Sequence, residues 1–522
     1  MKILMSMGAL EMKGFNRRNI KLYRLLGVAM VLAILILGVG SQLGFAQTSN
    51  GTIVGTVTDT SGAAVPKAKV TGVSKELGVE RSTVTDSTGS YRLENLAPGT
   101  YDVNVEASGF SIFRMANIQV RGSLEVTANA NLEVGSISST ITVEATSGQE
   151  LQTESGSLGA EISQQEIHDL PIQTGNPIEL VLTQPGVQDG NGFSFSNGMG
   201  FSVNGTRPRA NNFLIDGQDN NDNSINGQAF QTTNLGAIQE VTILTNAYSA
   251  EYGRGGGSVT NEIMKGGTNA YHGQAWWQNR NSAFAAVPPQ SALGGVTKNP
   301  QDNENVFGFA FGGPVKKDKL FFFGSAQWDR DFAAAGAFAL PITIPTAAGI
   351  ATLQSLLPNP NVALLIASFG GLVAPTKSST IALGPGANGV DRGSVDVGDF
   401  TRSQGSVVSL TREWEVRMDY NPTSVDSLRG SYRRTDSSTS PDFFNFPTNL
   451  PPYDTQQGGP AQAFTGVWNH TFSTRALNEL RFSYSNIDFS FAPTAASLAG
   501  PLANTPGITF GQSPLLNLGF KA

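Results

Sequence analysis

The chain has 522 residues, of which 60 are Gly and 30 are Phe, and only 14% are charged, compared with about 25% in an average soluble domain. A net charge of −7 provides no basic field for nucleic acid, and 0 Cys excludes disulfides, thiolate zinc sites and a lipid anchor on cysteine. The length allows roughly two to four domains.

Residues 1–46 have the pattern of an export signal peptide. Basic residues, among them Arg17 and Arg18, precede the apolar run LLGVAMVLAILILGVG, and Gly44 and Ala46 are small residues at a cleavage-like position. The alternative is a permanent membrane anchor, but the run is shorter than the ~20 residues needed to span hydrocarbon. We therefore expect cleavage near Ala46 and an exported mature chain.

Residues 47–134 have the spacing of a β-sandwich. Short β-prone runs, from GTIVGTVTD to LEVTANANLEV, are separated by turn sequences such as SGAAVP and APG. The stretches GTVTDTSGAAVPKAKV and TDSTGSYRLENLAPGTYDVNVEASGF resemble the carboxypeptidase regulatory-like, transthyretin-like domain. That resemblance implies an accessory domain of carbohydrate-binding-like fold, without peptidase activity.

Residues 135–154 form a polar linker around one β-prone segment, Ile141, Thr142, Val143, Glu144 and Ala145. An extended peptide of this kind can add as a strand to the sheet edge of a partner. The sequence TITVEA resembles the TonB box of energy-coupled receptors, which implies pairing with a TonB-type energy-coupling protein of the inner membrane. The alternative is a last strand of the sandwich, and the sequence leaves both open.

Residues 155–268 combine two helical patterns, ISQQEIHDL and NPIELVLTQ, with several strand patterns, which predicts a compact α+β unit. The segment SVNGTRPRANNFLIDGQDNND resembles the plug signature of TonB-dependent receptors, and AEYGRGGGSVTNEIMKGGTNAYHG resembles the end of the plug in the Oar-like branch. The plug-motif residues are Arg207, Arg209, Asn212 and Asp216. The resemblance implies that its charges hold the plug against a barrel wall or pair with each other; solvated loop charge is the alternative.

Residues 269–522 have the pattern of an outer-membrane β-barrel. The segment WEVRMDY alternates apolar and charged side chains, and short turns (PVKKDK, NPTSVD, STRA) join hairpins that are separated by long segments at about 280–304, 331–411 and 434–462. Strict alternation of short turns and long loops is typical of such barrels, whereas a soluble sandwich has no reason for it. The hairpin GGPVKKDKLFFFGSAQWDR also resembles the Oar-like barrel.

The predicted barrel is incomplete. About seven strands follow residue 271, whereas plugged transporters close at about 22. The terminal sequence LGFKA lacks the aromatic residue that usually ends the last strand in this family. We therefore expect only the N-terminal part of a barrel, from a truncated gene product or a fragment.

The sequence contains no pattern for catalysis. His168, His272 and His470 have no metal-ligand spacing, DGQDNNDNSING lacks the EF-hand spacing and suits Asx-turns, and no nucleophile elbow or P-loop occurs. We expect no enzyme activity, no cofactor and no metal.

The expected fold class is mainly β: a transthyretin-like β-sandwich, an α+β plug and a partial transmembrane antiparallel β-barrel. The expected function is that of an outer-membrane TonB-dependent receptor, which binds an unknown substrate, with a carbohydrate and a peptide as the candidates, and takes it up in an energy-coupled step. Its partners are the TonB-type protein and outer-membrane lipid, with no nucleic acid. The alternative is a surface adhesion or carbohydrate-binding structural protein of the outer membrane.

Overall fold

The computed structural model describes residues 50–135, 140–144, 156–170, 175–195, 198–222, 234–249, 255–293, 297–334, 342–356, 372–385, 393–400, 406–443, 454–473, 476–499, 508–509 and 517–518, with isolated residues between them. The chain forms two compact units, Met1–Gln47 and Thr48–Ala522, and the described residues belong to the second. The predicted signal peptide, Ala145 and most of the predicted linker lie outside the described residues, as do residues 223–226 of the acid-amide segment and the last four residues of the chain.

The first domain is a sandwich of two sheets. One sheet has the order β4-β1-β7, with β8 also on β1, and the other has the order β3-β2-β5-β6-β9. Alternate apolar residues of each strand face inward, so that Ile53 and Val57 of β1 and Val103 and Val105 of β5 are fully buried in one core. The strands are β1 (Gly51–Asp59), β2 (Lys69–Ser74), β3 (Glu80–Val84), β4 (Ser90–Leu96), β5 (Gly99–Glu106), β6 (Ile112–Val120), β7 (Glu125–Thr127), β8 (Ala130–Leu132) and β9 (Thr140–Glu144).

The second domain is built on a mixed five-stranded sheet of order β10-β15-β16-β13-β14, with a separate hairpin of β11 and β12. Helix α1 (Gln164–Asp169) begins at a capping box between Ser163 and Glu166, and a 3₁₀ helix, Pro177–Thr183, begins with proline after the N-cap Asn176. A second 3₁₀ helix spans Pro208–Ala210. The strands are β10 (Leu158–Ser163), β11 (Val187–Phe195), β12 (Gly198–Val203), β13 (Asn212–Ile215), β14 (Gln218–Asp219), β15 (Ile238–Asn246) and β16 (Val259–Met264).

The third domain is a large antiparallel sheet of long strands in the order β17-β18-β19-β23-β24-β25-β26, with β27 also on β25. The pairs β18–β19, β23–β24 and β25–β26 are the three hairpins predicted from the short turns. The strands are β17 (His272–Asn281), β18 (Asp302–Lys316), β19 (Leu320–Ala334), β23 (Ser406–Tyr420), β24 (Asp426–Ser440), β25 (Thr455–Ser473), β26 (Ala476–Ile487) and β27 (Ser490–Pro493).

The two faces of this sheet differ in chemistry. On β23, for example, Glu413, Glu415 and Arg417 are buried, whereas the apolar Val416 and Met418 are about half exposed. Plug residues and Ala310, Phe323 and Ala463 of the sheet form one core cluster, so the buried face is the one that contacts the plug. The exposed face carries a band of large apolar side chains that includes Phe309, Phe311, Val416, Met418, Tyr420, Phe464, Trp468, Phe482 and Tyr484.

The segment between β19 and β23 contains a small folded module. The strands β20 (Ile342–Pro345), β21 (Ser379–Ala382) and β22 (Ser394–Phe400) form a sheet of order β20-β22-β21. Leu353 of the adjacent helix packs on Val395 and Val397 of β22. The sequence predicts a long loop for the whole segment, because Pro, Gly and Ser obscure the short apolar patterns, and that prediction is wrong for the residues of this module.

The remaining elements are short. Helix α2 (Pro289–Leu293) follows β17, α3 (Ala347–Leu356) belongs to the module, α4 (Ala495–Ala499) follows β27, and β28 (Ile508–Thr509) pairs with β29 (Asn517–Leu518). Within the ranges given above, no helix is long and apolar enough to cross a membrane. The fold class predicted from the sequence is confirmed: a sandwich, a plug and a barrel sheet that does not close within the described residues.

Candidate functional site

The plug reaches the barrel wall at the turn between β13 and β14. Asp216 and Gly217 both have positive φ (50° and 73°), which is the geometry of a two-residue hairpin turn and explains the Asp-Gly sequence. Asp216 is only 2% exposed, and its Oδ1 accepts a hydrogen bond from the amide of Met264 (3.1 Å). The tight turn therefore delivers one carboxylate from the plug into a buried position.

Arg417 of β23 is the cation that this carboxylate meets. Its Nη1 lies 3.7 Å from Oδ2 of Asp216 and donates to the carbonyl of Met264 (2.7 Å). Its Nε and Nη2 donate to the two oxygens of Asp419 (2.8 and 3.0 Å), to which Arg429 also donates (3.2 Å). The side chain of Arg417 is only 7% exposed, and it connects Asp216 and Met264 of the plug to the wall.

A second set of contacts surrounds Gln218, two residues after Asp216. Its Oε1 accepts hydrogen bonds from Arg433 Nη2 of β24 (3.0 Å) and from Thr465 Oγ1 of β25 (2.5 Å). Arg481 of β26 donates to the carbonyl of Asp216. The β13–β14 turn therefore binds four consecutive strands of the wall, from β23 to β26.

The plug-motif residues occupy different environments. Asn212 is buried within the plug, where its Nδ2 donates to Gly253 O (3.2 Å) and its Oδ1 accepts from Asn221 Nδ2 (2.8 Å). Arg207 and Arg209 are exposed on the plug surface. Of the four, Asp216 contacts the wall through Arg417, and the latching role inferred for both arginines stays a prediction.

The candidate box segment is a strand in the structure. β9 pairs in parallel with β6, in the register Ile112↔Thr140 to Ala116↔Glu144. β9 is thus a last strand of the sandwich, which was the alternative expected from the sequence. Recognition of this segment by a coupling protein stays a prediction.

The sandwich is attached to the plug through acidic side chains of the plug. Glu240 accepts a hydrogen bond from the amide of Gly122 in the sandwich, and Arg121 forms an ion pair with Glu161. Burial raises the pKa of Glu240 to about 8, and the neighbouring Glu161 carboxylate adds to the increase. Glu240 therefore keeps its proton to a higher pH than an exposed glutamate does.

The sandwich also contacts the turn after β23 and the connection that leads into β17. Arg81 donates to the carbonyl of Ser424 in the turn between β23 and β24, and the amide of Asn269 donates to Glu76 O (2.9 Å). A cavity of about 430 Å³ lies where the sandwich, the plug and these strands meet. Lys265 lines it, donates to Gly236 O (3.0 Å), and has its pKa lowered to about 8 by burial.

Several of these residues were not identified from the sequence. Arg417 lies in the alternating segment WEVRMDY, whose charged face was recognised but had no assigned contact. Gln218 lies inside the plug signature, and Glu240 inside a strand pattern. No group of three or more His, Asp or Glu side chains that could hold a metal ion occurs among the residues described.

Three family models match successive parts of the chain: "Carboxypeptidase regulatory-like domain" at residues 52–133, "TonB-dependent Receptor Plug Domain" at 151–259 and "Outer membrane beta barrel domain" at 263–521. The TonB-dependent transporter Oar of Myxococcus xanthus is 28% identical over 291 residues. The match covers 53% of this chain and 26% of that protein, so the chain spans about a quarter of the length of this curated relative.

Two solved structures match the chain at low similarity. The outer membrane transporter YddB from Escherichia coli has 15% identity and a TM-score of 0.42, and the match covers 63% of this chain and 39% of that chain. The siderophore receptor PirA from Acinetobacter baumannii has 16% identity and a TM-score of 0.39, with the same coverage of 63% and 39%.

Proposed function

The chain belongs to the TonB-dependent receptors of the outer membrane, and on that premise we propose that it is the substrate-binding and gating part of an energy-coupled transporter. In this proposal the plug occludes the lumen, and the long connections, including the module of β20, β21 and β22, face the exterior and capture the substrate. A TonB-type protein of the inner membrane pulls on residues 141–145 to move the plug. No chemical step is needed.

The observation that supports gating most directly is the contact between the plug and the wall. A single buried turn carries Asp216 and Gln218, and the side chains of Arg417, Arg433 and Arg481 converge on it from three strands. Charged groups in such a site bind strongly only while their geometry is intact, because each unpaired charge left behind is costly. A small displacement of the turn therefore breaks several contacts together, which is what a releasable plug requires.

Outer-membrane lipid is the second partner in the proposal. The exposed face of the barrel sheet carries the apolar band, and the charged face contacts the plug. Such a sheet is suited to lipid on one side and a polar lumen on the other.

The coupling step is tested with substitutions at Thr142. Recognition by strand addition depends on the backbone, so Thr142→Pro, which removes an amide donor, should weaken binding to the isolated C-terminal domain of the TonB-type protein by about tenfold or more. Thr142→Val preserves the amide and strand preference and should bind as the wild type. Binding is measured by titration of the detergent-solubilised full chain.

Two results would contradict the coupling proposal. Equal binding by the proline and valine variants would show that the coupling protein does not recognise this segment by strand addition. Absence of binding by the wild-type chain would favour the alternative function, surface adhesion, which needs no coupling protein.

A further inference from the structure

The candidate box is the edge strand of a sheet. In the sheet order β3-β2-β5-β6-β9, β9 is last, and in the described part of the chain the ladder pairs it with β6 alone. In a parallel pair, alternate residues direct their backbone amide and carbonyl groups away from the neighbouring strand. β9 therefore presents a row of such groups on its outer side while it remains paired with β6.

The side chains of β9 that the structure describes are accessible. Thr142 is exposed, and Val143 is 44% exposed although it is apolar. An exposed edge strand with an apolar side chain is a template for pairing with another chain. The side chains of Thr142 and Val143 are thus accessible to a partner without unfolding of the sandwich.

The sandwich, to which β9 belongs, is held in place by contacts with the plug and the barrel sheet. The segment that follows β6 contributes Arg121 and Gly122 to the contacts with Glu161 and Glu240 of the plug. At the other side of the sandwich, Arg81 contacts the barrel turn at Ser424. The position of β9 is therefore defined relative to both the plug and the wall.

We infer that β9 is a preformed receptor strand, and that an extended strand of the coupling protein adds to its outer edge while β6 stays paired on the inner edge. This inference rests on the proposed function of residues 141–145. The sandwich then orders the segment before binding, which removes a large part of the entropic cost of strand addition. The sheet becomes a continuous ladder from the sandwich to the coupling protein, and force on the partner reaches the sandwich directly.

The test is a covalent lock between β6 and β9. Arg114 and Thr142 are register partners with exposed side chains, and adjacent strands have the spacing that a disulfide accepts. Because the chain has 0 Cys, the double variant Arg114→Cys/Thr142→Cys contains no competing thiol. The matched control is Thr71→Cys/Ser82→Cys at the opposite edge of the same sheet, where the two hydroxyls lie 3.1 Å apart.

We expect both pairs of the full-length chain to form disulfides on mild oxidation. The oxidised Arg114/Thr142 variant should bind the isolated C-terminal domain of the TonB-type protein with a Kd within about twofold of that of its reduced form. The control pair reports whether the sandwich is folded in each preparation.

Three results would overturn the inference. If the control pair oxidises and the Arg114/Thr142 pair does not, β9 is not held on β6. If oxidation weakens binding by about tenfold or more in the test pair alone, the partner displaces β6 instead of adding to β9. If neither form nor the wild type binds the domain, the proposed function itself fails and this inference fails with it.

Discussion

At the scale of single residues, the most informative side chain is Arg417. It lies on the charged face of a strand whose other face is apolar, where it forms ion pairs with Asp216 and Asp419 and donates to the carbonyl of Met264. Burying a guanidinium is unfavourable unless all its partners are present. The charged face of β23 is therefore stable in a buried position only while the plug supplies partners for its side chains.

We predict that Arg417→Gln loosens the plug. The substitution removes the cation that is paired with the buried Asp216 carboxylate, a change that typically costs about 3 to 5 kcal/mol, and it frees the carbonyl of Met264. Lys265 directly follows Met264, so a loosened plug should expose the peptide bond after Lys265. Trypsin should therefore cleave this bond about tenfold faster or more than in the wild type. The control is Arg412→Gln, an exposed arginine on the same strand. Equal cleavage rates in the two variants would show that Arg417 does not hold the plug.

At the scale of elements, alternation along a barrel strand places successive side chains on the exposed face or on the face that contacts the plug. The neighbours Trp276 and Trp277 of β17 show this directly. Trp276 is partly buried against the plug core and donates to Gln327 Oε1 (3.2 Å), whereas Trp277 is 70% exposed. A register error of one residue in β17 would exchange the two environments.

We predict opposite responses of these two tryptophans to the membrane. In variants that retain a single tryptophan, with the others replaced by phenylalanine, brominated lipid should quench Trp277 strongly and Trp276 weakly, because quenching requires contact with the acyl chains. Fluorescence is measured in vesicles of brominated and of ordinary phosphatidylcholine. Equal quenching at both positions would contradict the face assignment of β17.

At the scale of the whole molecule, each of the three domains contacts the other two. The sandwich meets the plug through Gly122 and Glu240 and the barrel turns through Arg81, and the plug meets the wall through Asp216. None of these contacts joins residues that are close in sequence. The junction of the sandwich and the plug contains a carboxyl group, that of Glu240, whose pKa is raised by burial.

We predict that this junction weakens as the pH rises. The pKa of Glu240 is about 8 in the folded chain and about 4.3 when unfolded, so the folded state binds more protons in that range. Stability from this group is complete below pH ~4.3 and is lost as the pH approaches ~8, with a slope of at most about 1.4 kcal/mol per pH unit. Thermal unfolding of the full chain at several pH values measures it.

The matched variants separate this effect from other titrations. Glu240→Gln keeps a donor and an acceptor but does not titrate, so the decrease of Tm with pH should become smaller. Glu133→Gln, at an exposed position in the sandwich, should keep the wild-type dependence. An unchanged pH dependence in Glu240→Gln would remove Glu240 as the cause.

Much of the secondary structure follows from local patterns. The run GTIVGTVTD is β1 from Gly51 to Asp59, and the capping box at Ser163 begins the helix expected there. The patterns failed where local signals are weak. β3, with the sequence ERSTV, has almost no apolar residue, and NPIELVLTQ was taken as an ordinary helical pattern but forms the 3₁₀ helix Pro177–Thr183.

The sequence by itself determined the order of domains, the three hairpins and the two faces of β23, because turn residues and apolar alternation act over a few residues. Only the tertiary structure decided which charges meet. Arg417 and Met264 are 153 positions apart, and Arg481 lies 265 positions from Asp216. The neighbour of β9 was also decided there, because backbone hydrogen bonds of an edge strand impose little side-chain pattern that a sequence could reveal.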